Sequence, residues 1–489
     1  MRDGRPTPGI AGPARPPVHR PDSLWSPARR PLTIGLVLTI SLVAAEALAV
    51  ATAMPVVARD LGRLDLYGWV FSAFFLGSLI GIAVVGGLID ERGVVLPFVG
   101  GLVLFAIGLL MCGLAESMEV IVAGRFIQGL GGGAVPPVAY VAIGRSLPDR
   151  LRPRMFATMS GAWVLPGVFG PAVAGVVAEA WHWRVVFLGL LPLIVVAGWI
   201  ALGAMRAIPD QVRPVGAPVP EGEADLRAER RRRYAWAVVV TLGAALLTSG
   251  LLSPDLPVLL AVGGAGLAIT VVAFRRLTPP GTLRLAPGYP SAVMLRGFLT
   301  FAFFTIDAYV ALLLVEVRGW SAAAAGLALT GATVSWTAGS WFQARNVARV
   351  GAEGFVRIGF PIVALGIGGI ALALVPAVPA WVVVPAFAIG GLGMGLAYSQ
   401  FAIIVLRDAP RDSQGAVTAA VSLSDALGTA LGTGIAGAIV AASVRAGAGP
   451  GPGLGAAIAM GVGVALLGFV LAPRLHVERA GPGSAGAVR

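Results

Sequence analysis

The amino-acid sequence predicts an all-α protein that crosses a lipid bilayer many times. Of its 489 residues, 57% are hydrophobic and 12% are charged, and long apolar runs recur along the whole chain. A soluble domain carries about a quarter charged residues, so a chain this long has too little polar surface to face water. A spanning helix needs about 20 apolar residues, and the chain has room for more than a dozen.

Fourteen apolar runs have a suitable length. They lie at about 32–57, 68–89, 94–114, 119–143, 155–178, 184–205, 234–252, 256–274, 292–316, 321–342, 355–375, 380–406, 415–441 and 453–473. The seventh and eighth runs are joined only by Ser253, Pro254 and Asp255. These two runs form either two spans or one re-entrant hairpin, which reduces the count to twelve.

The arginines predict the orientation of the chain. They are concentrated in every second loop, with a cluster at Arg230 to Arg233 in the polar stretch 206–233 that separates two sets of spans. The alternate loops keep Arg59, Arg63, Arg184, Arg318 and Arg445. Since positively charged loops stay in the cytoplasm, both termini are predicted to lie there, with the chain in the inner membrane of a bacterium. This distribution favours anchoring among membrane lipids over nucleic-acid binding.

The composition also excludes several classes of site. The single cysteine, Cys112, rules out an internal disulfide and a cysteine-based metal cage. The three histidines are far apart in the sequence, which argues against a zinc site. No lysine occurs, so the chain lacks a phosphate-binding loop that would drive pumping by ATP. We expect no metal, no cofactor and no enzymatic activity, and a monomer.

A motif between the second and third runs suggests a gate. Its spacing is Gly86-x-Leu88-x-Asp90-x-x-Gly93, in which glycines permit close helix approach and a tight reversal. It resembles the GxLxDRxGRR loop signature of the major facilitator superfamily. The resemblance implies that Asp90 caps a neighbouring helix or pairs with an arginine to lock one conformation. Glu91 replaces the family's arginine, so the charge network is predicted to be weaker or rewired.

The fourth run contains Arg125, Gln128 and Gly129, which is similar to the RxxQGxG motif of the same family. An arginine inside a span is costly in hydrocarbon and needs a carboxylate, a carbonyl or a water-filled cavity. One interpretation places Arg125 in a proton relay or the central cavity. The alternative is that its side chain extends to the outer membrane interface.

The fifth run contains Gly170, Pro171 and Gly175, which resembles the antiporter motif centred on GPxxGG. Small residues at this spacing allow a close helix crossing, and the proline bends the helix. The resemblance is to the fourteen-span drug:proton antiporter branch and implies export rather than uptake. Generic helix packing is the alternative explanation of these three residues.

The family resemblance implies the major facilitator fold, with two six-helix bundles and two additional central spans. The predicted divisions are a disordered cytoplasmic tail at 1–31, an N-terminal bundle at 32–205, a linker at 206–233, the additional helices at 234–275, a C-terminal bundle at 290–473 and a tail at 474–489. The C-terminal half is expected to repeat the N-terminal half. The loop predicted at 339–345 has Gln343 in the place of the gate acid, so the repeat is degraded there.

Three acids inside the runs are candidates for proton coupling, together with Arg125. Glu46 lies nine residues before Pro55, where the family carries an acid, and Asp307 and Asp425 lie in the second half. A carboxyl group in hydrocarbon either binds a proton or has a partner, which suits it to take up and release a proton during transport. A structural, hydrogen-bonded role is the alternative for Glu46. Outside these acids, Glu316 and Arg318 are predicted to pair at the outer interface.

Aromatic side chains within the runs are candidates for a substrate cavity. The candidates are Trp163, Trp336, Tyr309 and Tyr398. Such rings can bind flat, lipophilic or cationic molecules, although packing and interface anchoring are their commoner roles in membranes. The sequence thus predicts a proton-coupled exporter of small amphipathic compounds. The alternatives are an exporter of lipid or cell-envelope precursors and a membrane scaffold or sensor without transport.

Overall fold

The computed structural model describes residues 23–27, 29–206, 223–410 and 413–476, and within these ranges the regular structure is entirely helical. The N-terminal half contains α1 Arg30–Leu61, α2 Tyr67–Arg92, α3 Val95–Gly113, α4 Met118–Ser146, α5 Arg152–Gly161, α6 Val164–Val177, α7 Trp183–Leu188 and α8 Leu190–Met205. Most of the predicted N-terminal tail, most of the linker and nearly all of the C-terminal tail lie outside the described residues.

The remaining helices form the additional pair and the C-terminal half. They are α9 Glu223–Leu252, α10 Leu256–Val258, α11 Gly264–Leu277, α12 Tyr289–Leu312, α13 Ala322–Val350, α14 Ala352–Ile370, α15 Val383–Ala397, α16 Gln400–Asp408, α17 Gln414–Arg445 and α18 Pro450–Leu471. The arginine cluster predicted to lie in the linker is therefore helical, because α9 begins before it and runs without a break into the apolar segment.

The prediction of an all-α, multi-pass membrane protein is confirmed. By length and composition, the described residues contain 12 segments that are apolar enough to cross a membrane. The 52-residue segment Arg154–Met205 is counted as one candidate span, and α13 is not counted. The segments Ala228–Leu252 and Leu256–Leu277, which correspond to the seventh and eighth runs, are counted separately.

Glycines set the packing inside each half. In the N-terminal half, α4 packs against α2 and α3. A Cβ atom on Gly77 of α2 would overlap the Phe126 carbonyl, and one on Gly129 of α4 would overlap the Phe74 carbonyl. In the C-terminal half, α15 packs against α13 and α14, with Gly366 against the backbone of Gly390. Because these backbones nearly touch, close packing stabilises the helix pairs without a hydrophobic driving force.

The two halves meet along two pairs of helices, α2 with α17 and α6 with α13. We call the end where α1 ends and α2 begins the closed end. There the Tyr67 hydroxyl of α2 donates across the halves to the Ala308 carbonyl of α12 (3.2 Å). Within the C-terminal half, the Tyr309 hydroxyl donates to the Thr433 carbonyl (2.8 Å). A Cβ atom on Gly68 would lie 2.7 Å from the Gly437 Cα atom. Direct backbone contact between α2 and α17 therefore seals the halves together at this end.

An ion pair adds to the contacts at the closed end. Arg59 at the end of α1 bonds Glu316 at 2.5 Å. The predicted pairing of Glu316 with Arg318 is therefore wrong, since Arg318 instead donates to backbone carbonyls in and after the 3-10 turn that follows α14. Glu316 and Arg318 have different partners because Arg59 of the other half bonds Glu316. Adjacency in the chain cannot predict such a contact.

At the opposite end, the halves pack mainly within themselves. There α5 contacts α1, α4 and α6, while α16 contacts α12, α14, α15 and α17. Two predicted loops are helical at this end. The gate motif occupies the last turns of α2, with Gly93 at φ 72° as the cap, and the segment 339–345 lies within α13, which ends only before Gly351. Both helices extend beyond the apolar runs because polar residues at their ends remain good helix formers.

Candidate functional site

A buried ion pair lies between α1 and α4 in the N-terminal half. The guanidinium of Arg125 donates to the Glu46 carboxylate and, at 2.7 Å, to the Gln128 side-chain oxygen. The side chains of Arg125 and Glu46 are 3% and 0% exposed. Arg125 therefore turns into the bundle, and its side chain does not extend to the membrane interface. Charges taken out of water in this way need both a counter-ion and further hydrogen bonds.

The further bonds come from α2. The Arg125 Nε atom donates to the Val70 carbonyl at 3.2 Å, and its guanidinium lies over the Phe74 ring at 4.4 Å from the centroid. Two polar atoms of the cluster, Glu46 Oε2 and Gln128 Nε2, are buried without a hydrogen-bond partner among the described residues. The carboxylate thus keeps one oxygen free to accept a proton or a water.

Asp307 occupies a different environment on α12. Most residues of this helix are buried. Five half-buried residues recur at helical spacing and so lie on one face of it. They are Met294, Phe298, Phe301, Phe304 and Asp307. The Phe304 ring lies 6.1 Å from Phe75 of α2, so this face is turned toward the other half. Asp307 makes no hydrogen bond or ion pair with another described residue. It therefore presents a lone carboxylate on a mainly aromatic surface.

The C-terminal half contains its own arginine–carboxylate pair. Arg296 of α12 bonds Asp425 of α17 at 2.9 Å, and the Tyr398 hydroxyl donates to the other Asp425 oxygen at 3.1 Å. Arg296 also donates to the Tyr398 carbonyl and lies over the Tyr398 ring. Since Tyr398 lies at the break between α15 and α16, the cluster ties this break to two further helices. Thr300 and Thr429 donate to the Asp425 carbonyl.

Arg296 was missed in the sequence-based prediction. It lies within the predicted run 292–316, so the cost of an arginine in hydrocarbon, the reason for selecting Arg125, applies to it equally. A search for arginines in all runs, and not for motif matches alone, finds Arg296. Asp425, which was selected on the cost of burial, is the acid that pairs with it.

Aromatic rings connect the two arginines in one series of contacts. From Arg125 to Arg296, the rings in order are Phe74, Phe75, Phe304, Phe303, Trp336 and Tyr398. Neighbouring ring centroids are between 5.2 and 6.1 Å apart, in the range of favourable aromatic pairs. This series crosses from α2 to α12, that is, from one half to the other.

The four predicted cavity aromatics are not brought together. Trp336 and Tyr398 are in direct edge contact at 5.2 Å. Tyr309 is buried at the closed end against Tyr67, and Trp163, which precedes α6, is 44% exposed. Aromatic residues on α12 that were not singled out for the cavity, such as Phe304, take the central position because their helix lies between the halves.

The remaining motif residues are located at helix contacts. Gly175 and Pro171 of α6 lie against Ala323 and Gly326 of α13, whereas Gly170 has open space beside it. Asp90 of the gate motif lies 3.4 Å from Arg230 of α9. No cluster of three or more histidine, cysteine, aspartate or glutamate side chains suited to a metal ion occurs within the described ranges.

Comparisons with known proteins agree with this architecture. The model of the Major Facilitator Superfamily matches residues 34–433. A probable multidrug-efflux transporter of Mycobacterium tuberculosis is 28% identical over 404 residues, which cover 78% of this chain and 81% of that protein. Multidrug resistance protein 3 of Bacillus subtilis is 34% identical over 154 residues, which cover 31% of this chain and only 30% of that protein.

Solved structures share the fold at low sequence identity. The crystal structure of a D-xylose-proton symporter matches with a TM-score of 0.64 at 15% identity, covering 90% of this chain and 97% of that one. A nucleoside transporter matches with a TM-score of 0.60 at 12% identity, covering 92% and 100%. Because the family model matches most of the chain, residues 34–433, the predicted family is confirmed: the chain belongs to the major facilitator superfamily and is a multi-pass membrane transporter of small molecules.

Proposed function

We propose that the protein is a proton-coupled exporter of small amphipathic or lipophilic compounds that works by alternating access. The observation that supports this most is the enclosed Glu46–Arg125 pair with its free carboxylate oxygen. A fully buried ion pair contributes little to stability compared with apolar packing of the same volume. A group kept at such a cost inside a transporter is a candidate for function.

The contacts between the halves support the assignment of this conformation to an inward-facing state of the transport cycle. The polar contacts between halves described above, Arg59 with Glu316 and Tyr67 with the Ala308 carbonyl, lie at the closed end, whereas α5 and α16 at the opposite end pack within their own halves. The arginine distribution assigns the opposite end to the cytoplasm. The central aromatic surface is then accessible from the cytoplasm, as the loading step of an exporter requires.

We also propose fourteen spans with both termini in the cytoplasm of a bacterial cell. The segment Arg154–Met205 has 52 residues, or about 78 Å of helix at 1.5 Å per residue, which is enough for two crossings of a hydrocarbon core about 30 Å thick. The 29-residue α13 supplies the other additional crossing. The protein acts as a monomer surrounded by membrane lipids.

Proton binding at Glu46 would change the balance of charge in the N-terminal cluster. When Glu46 is ionised, it neutralises Arg125, and the two side chains hold α1 against α4. Protonation at the carboxyl group leaves Arg125 with neutral partners, the Gln128 side chain and the Val70 carbonyl. The arginine then carries an uncompensated charge in a dry site, which favours a conformation that admits water or an anionic group. In this proposal Asp307 and Asp425 also bind and release protons during transport.

The substrate is proposed to bind between the halves. The α12 face offers aromatic rings and the Asp307 carboxylate, a combination that suits a flat molecule with a polar or cationic group. The named relatives are a probable multidrug-efflux transporter and a multidrug resistance protein, which supports export of more than one compound.

Substrate-driven proton flux in proteoliposomes tests the coupling. We expect Glu46→Gln to abolish proton movement that depends on substrate while substrate-for-substrate exchange continues. Glu119→Gln is the matched control, because Glu119 is an exposed acid at the start of α4 that pairs with Arg63. Proton coupling that is unchanged in Glu46→Gln would remove this residue from the mechanism.

Accumulation measurements in a host without its own efflux pumps test the substrate class. We expect expression to lower the accumulation of lipophilic compounds, and an uncoupler to cancel the effect. Transport confined to lipid-like or cell-envelope precursors would favour the alternative of an exporter of those molecules. Continued export after uncoupling would indicate a carrier that does not use protons.

A further inference from the structure

The gate motif lacks the arginine that would follow its acid, because Glu91 stands at that position. The structure places another arginine beside the acid. Arg230 Nη1 lies 3.4 Å from Asp90 Oδ2, on the helix α9 that follows the linker. The partner thus comes from 140 residues away in the sequence. Within the described residues, Arg231 and Arg232 make no ion pair, and Arg233 pairs with Glu229 of its own helix.

A second contact lies one helical turn along α9. The Tyr234 side chain packs against Gly87 of α2 so closely that a Cβ atom on Gly87 would overlap the Tyr234 hydroxyl. The aliphatic part of the Arg230 side chain lies near the same Gly87 position, at 3.5 Å from such an atom. The contact therefore combines a charge pair with steric fit, and it requires glycine at position 87.

Beyond this contact, α9 continues along the seam between the halves. The Thr241 hydroxyl lies 3.4 Å from the Leu76 carbonyl of α2. Further along, a Cβ atom on Gly434 of α17 would lie 2.6 Å from Thr248 Cγ2 and 2.8 Å from Ser72 Oγ of α2. The helix is thus fastened to α2 at one end and lies against both halves at the other. Any rotation of one half against the other must move α17 across it.

We propose that Arg230 and Tyr234 are positioning residues of the gate, through which α9 replaces the missing motif arginine and holds the conformation that is sealed at the closed end. This inference depends on the proposed alternating access. An exposed ion pair alone is a weak interaction, so the expected change in population is only about threefold. In this proposal the additional helices regulate the rotation of one half against the other.

Thiol labelling tests the proposal without substrate or a proton gradient. The reporter is Phe298→Cys on the half-buried face of α12, in a Cys112→Ser background, labelled with a membrane-impermeant maleimide from the end that carries Asp90. We expect Arg230→Asp or Asp90→Arg to slow labelling about threefold, and the charge-swapped double variant to restore at least half of the rate. Arg230→Lys should stay within twofold of the parent.

Arg231→Asp is the matched control, because it makes the same charge change on the neighbouring exposed residue. A slowing equal to that of Arg230→Asp would show that net charge, and not the pair, determines the rate. A double variant no faster than the singles would also overturn the proposal. If Asp90→Arg fails to fold, Gly87→Ala and Tyr234→Ala replace it: we expect each to slow labelling, since each disturbs the contact between Gly87 and Tyr234, and unchanged rates in both variants would overturn the proposal.

The labelling result separates this inference from the proposed function. If Glu46→Gln abolishes coupling while Arg230→Asp leaves labelling unchanged, the inference about α9 fails and the exporter proposal stands. If Arg230→Asp slows labelling while Glu46→Gln retains full coupling, the gate inference stands and the coupling scheme fails.

Discussion

The two halves of the molecule each contain a buried arginine bound to a carboxylate, and the two sites differ in access to water. In the N-terminal half, Glu46 is fully enclosed with Arg125. In the C-terminal half, Arg296 is 8% exposed and Asp425 is 27% exposed. The first site lies near the closed end, since Arg125 bonds Val70 one turn after the start of α2. The second lies nearer the opposite end, about 20 Å before Tyr309 along α12 at 1.5 Å per residue.

Under the proposed proton coupling, we infer different roles for these two chemically similar pairs. Asp425 is the more open of the two acids in the conformation described here, because 27% of its side chain is exposed. Glu46 can exchange a proton only after its helices move, since it is completely covered. The Arg296–Asp425 pair, which we call the exposed pair because Asp425 is partly exposed, therefore suits rapid proton exchange within one state. The enclosed Glu46–Arg125 pair suits retention of a proton between states.

The largest effect is expected from removing one partner of the enclosed pair. Arg125→Met leaves Glu46 as a buried carboxylate without a counter-ion, and breaking a buried pair in this way costs about 3–5 kcal/mol. Arg296→Met should cost less, about 1.5–3 kcal/mol, because Asp425 is partly exposed and keeps the hydrogen bond from Tyr398. Equilibrium unfolding of the purified protein in detergent, followed by tryptophan fluorescence, measures both losses.

The double variant Glu46→Leu/Arg125→Met is the control for this comparison. Since it removes both charges, we expect it to regain most of the stability lost in Arg125→Met. Equal losses for Arg125→Met and Arg296→Met would contradict the difference in environment between the two pairs.

The sequence predicted the enclosed pair better than the exposed one for a physical reason. The family motifs together with the cost of burying charge selected Glu46 and Arg125, whereas that cost alone selected Asp307 and Asp425. It could not show that Glu46 and Arg125 meet, because α1 and α4 are separated by two helices in the chain. The partner of Asp425, Arg296, carried the same signal but matched no motif. The family resemblance therefore drew attention to one half.

The fold was predictable to a similar extent. Apolar length gave the helices and their order, because each span must satisfy its backbone internally. Helix ends were less predictable, since α2 and α13 continue beyond their apolar runs and include Asp90 and Gln343. Contacts between halves, such as Arg59 with Glu316, depend on tertiary packing that no local pattern encodes.

Accessible and enclosed carboxyl groups should also differ in chemical reactivity. A hydrophobic carbodiimide modifies protonated carboxyl groups that it can reach. We expect Asp307 to react at least about tenfold faster than Glu46, because Asp307 is half-buried without an ion-pair partner and Glu46 is covered and paired. Tenfold corresponds to about 1.4 kcal/mol. Mass spectrometry of the labelled protein gives the rate at each site, with Asp307→Asn as the control. Faster reaction at Glu46 would contradict the enclosure of the N-terminal pair.

The smallest effect is expected from a single hydroxyl in the exposed pair. Tyr398→Phe removes the hydrogen bond to Asp425 (3.1 Å) and keeps the ring that lies over Arg296. One such bond contributes about 1 kcal/mol, which corresponds to about a fivefold change in an equilibrium between two states. Because the bond holds the break between α15 and α16 against α17, we expect transport to slow by twofold to fivefold with little loss of stability.

Tyr309→Phe provides the contrast, because its hydroxyl donates to the Thr433 carbonyl within the closed end. Removing that bond leaves a buried carbonyl with one partner fewer. It also loosens the Tyr309 side chain, whose hydroxyl packs at the seal against Gly68 of α2, 2.5 Å from the position of a Cβ atom there. This variant should label faster from the end opposite Asp90, whereas Tyr398→Phe should not. If both variants change labelling alike, the hydroxyl of Tyr398 belongs to the seal, and the two ends of the molecule are not controlled separately.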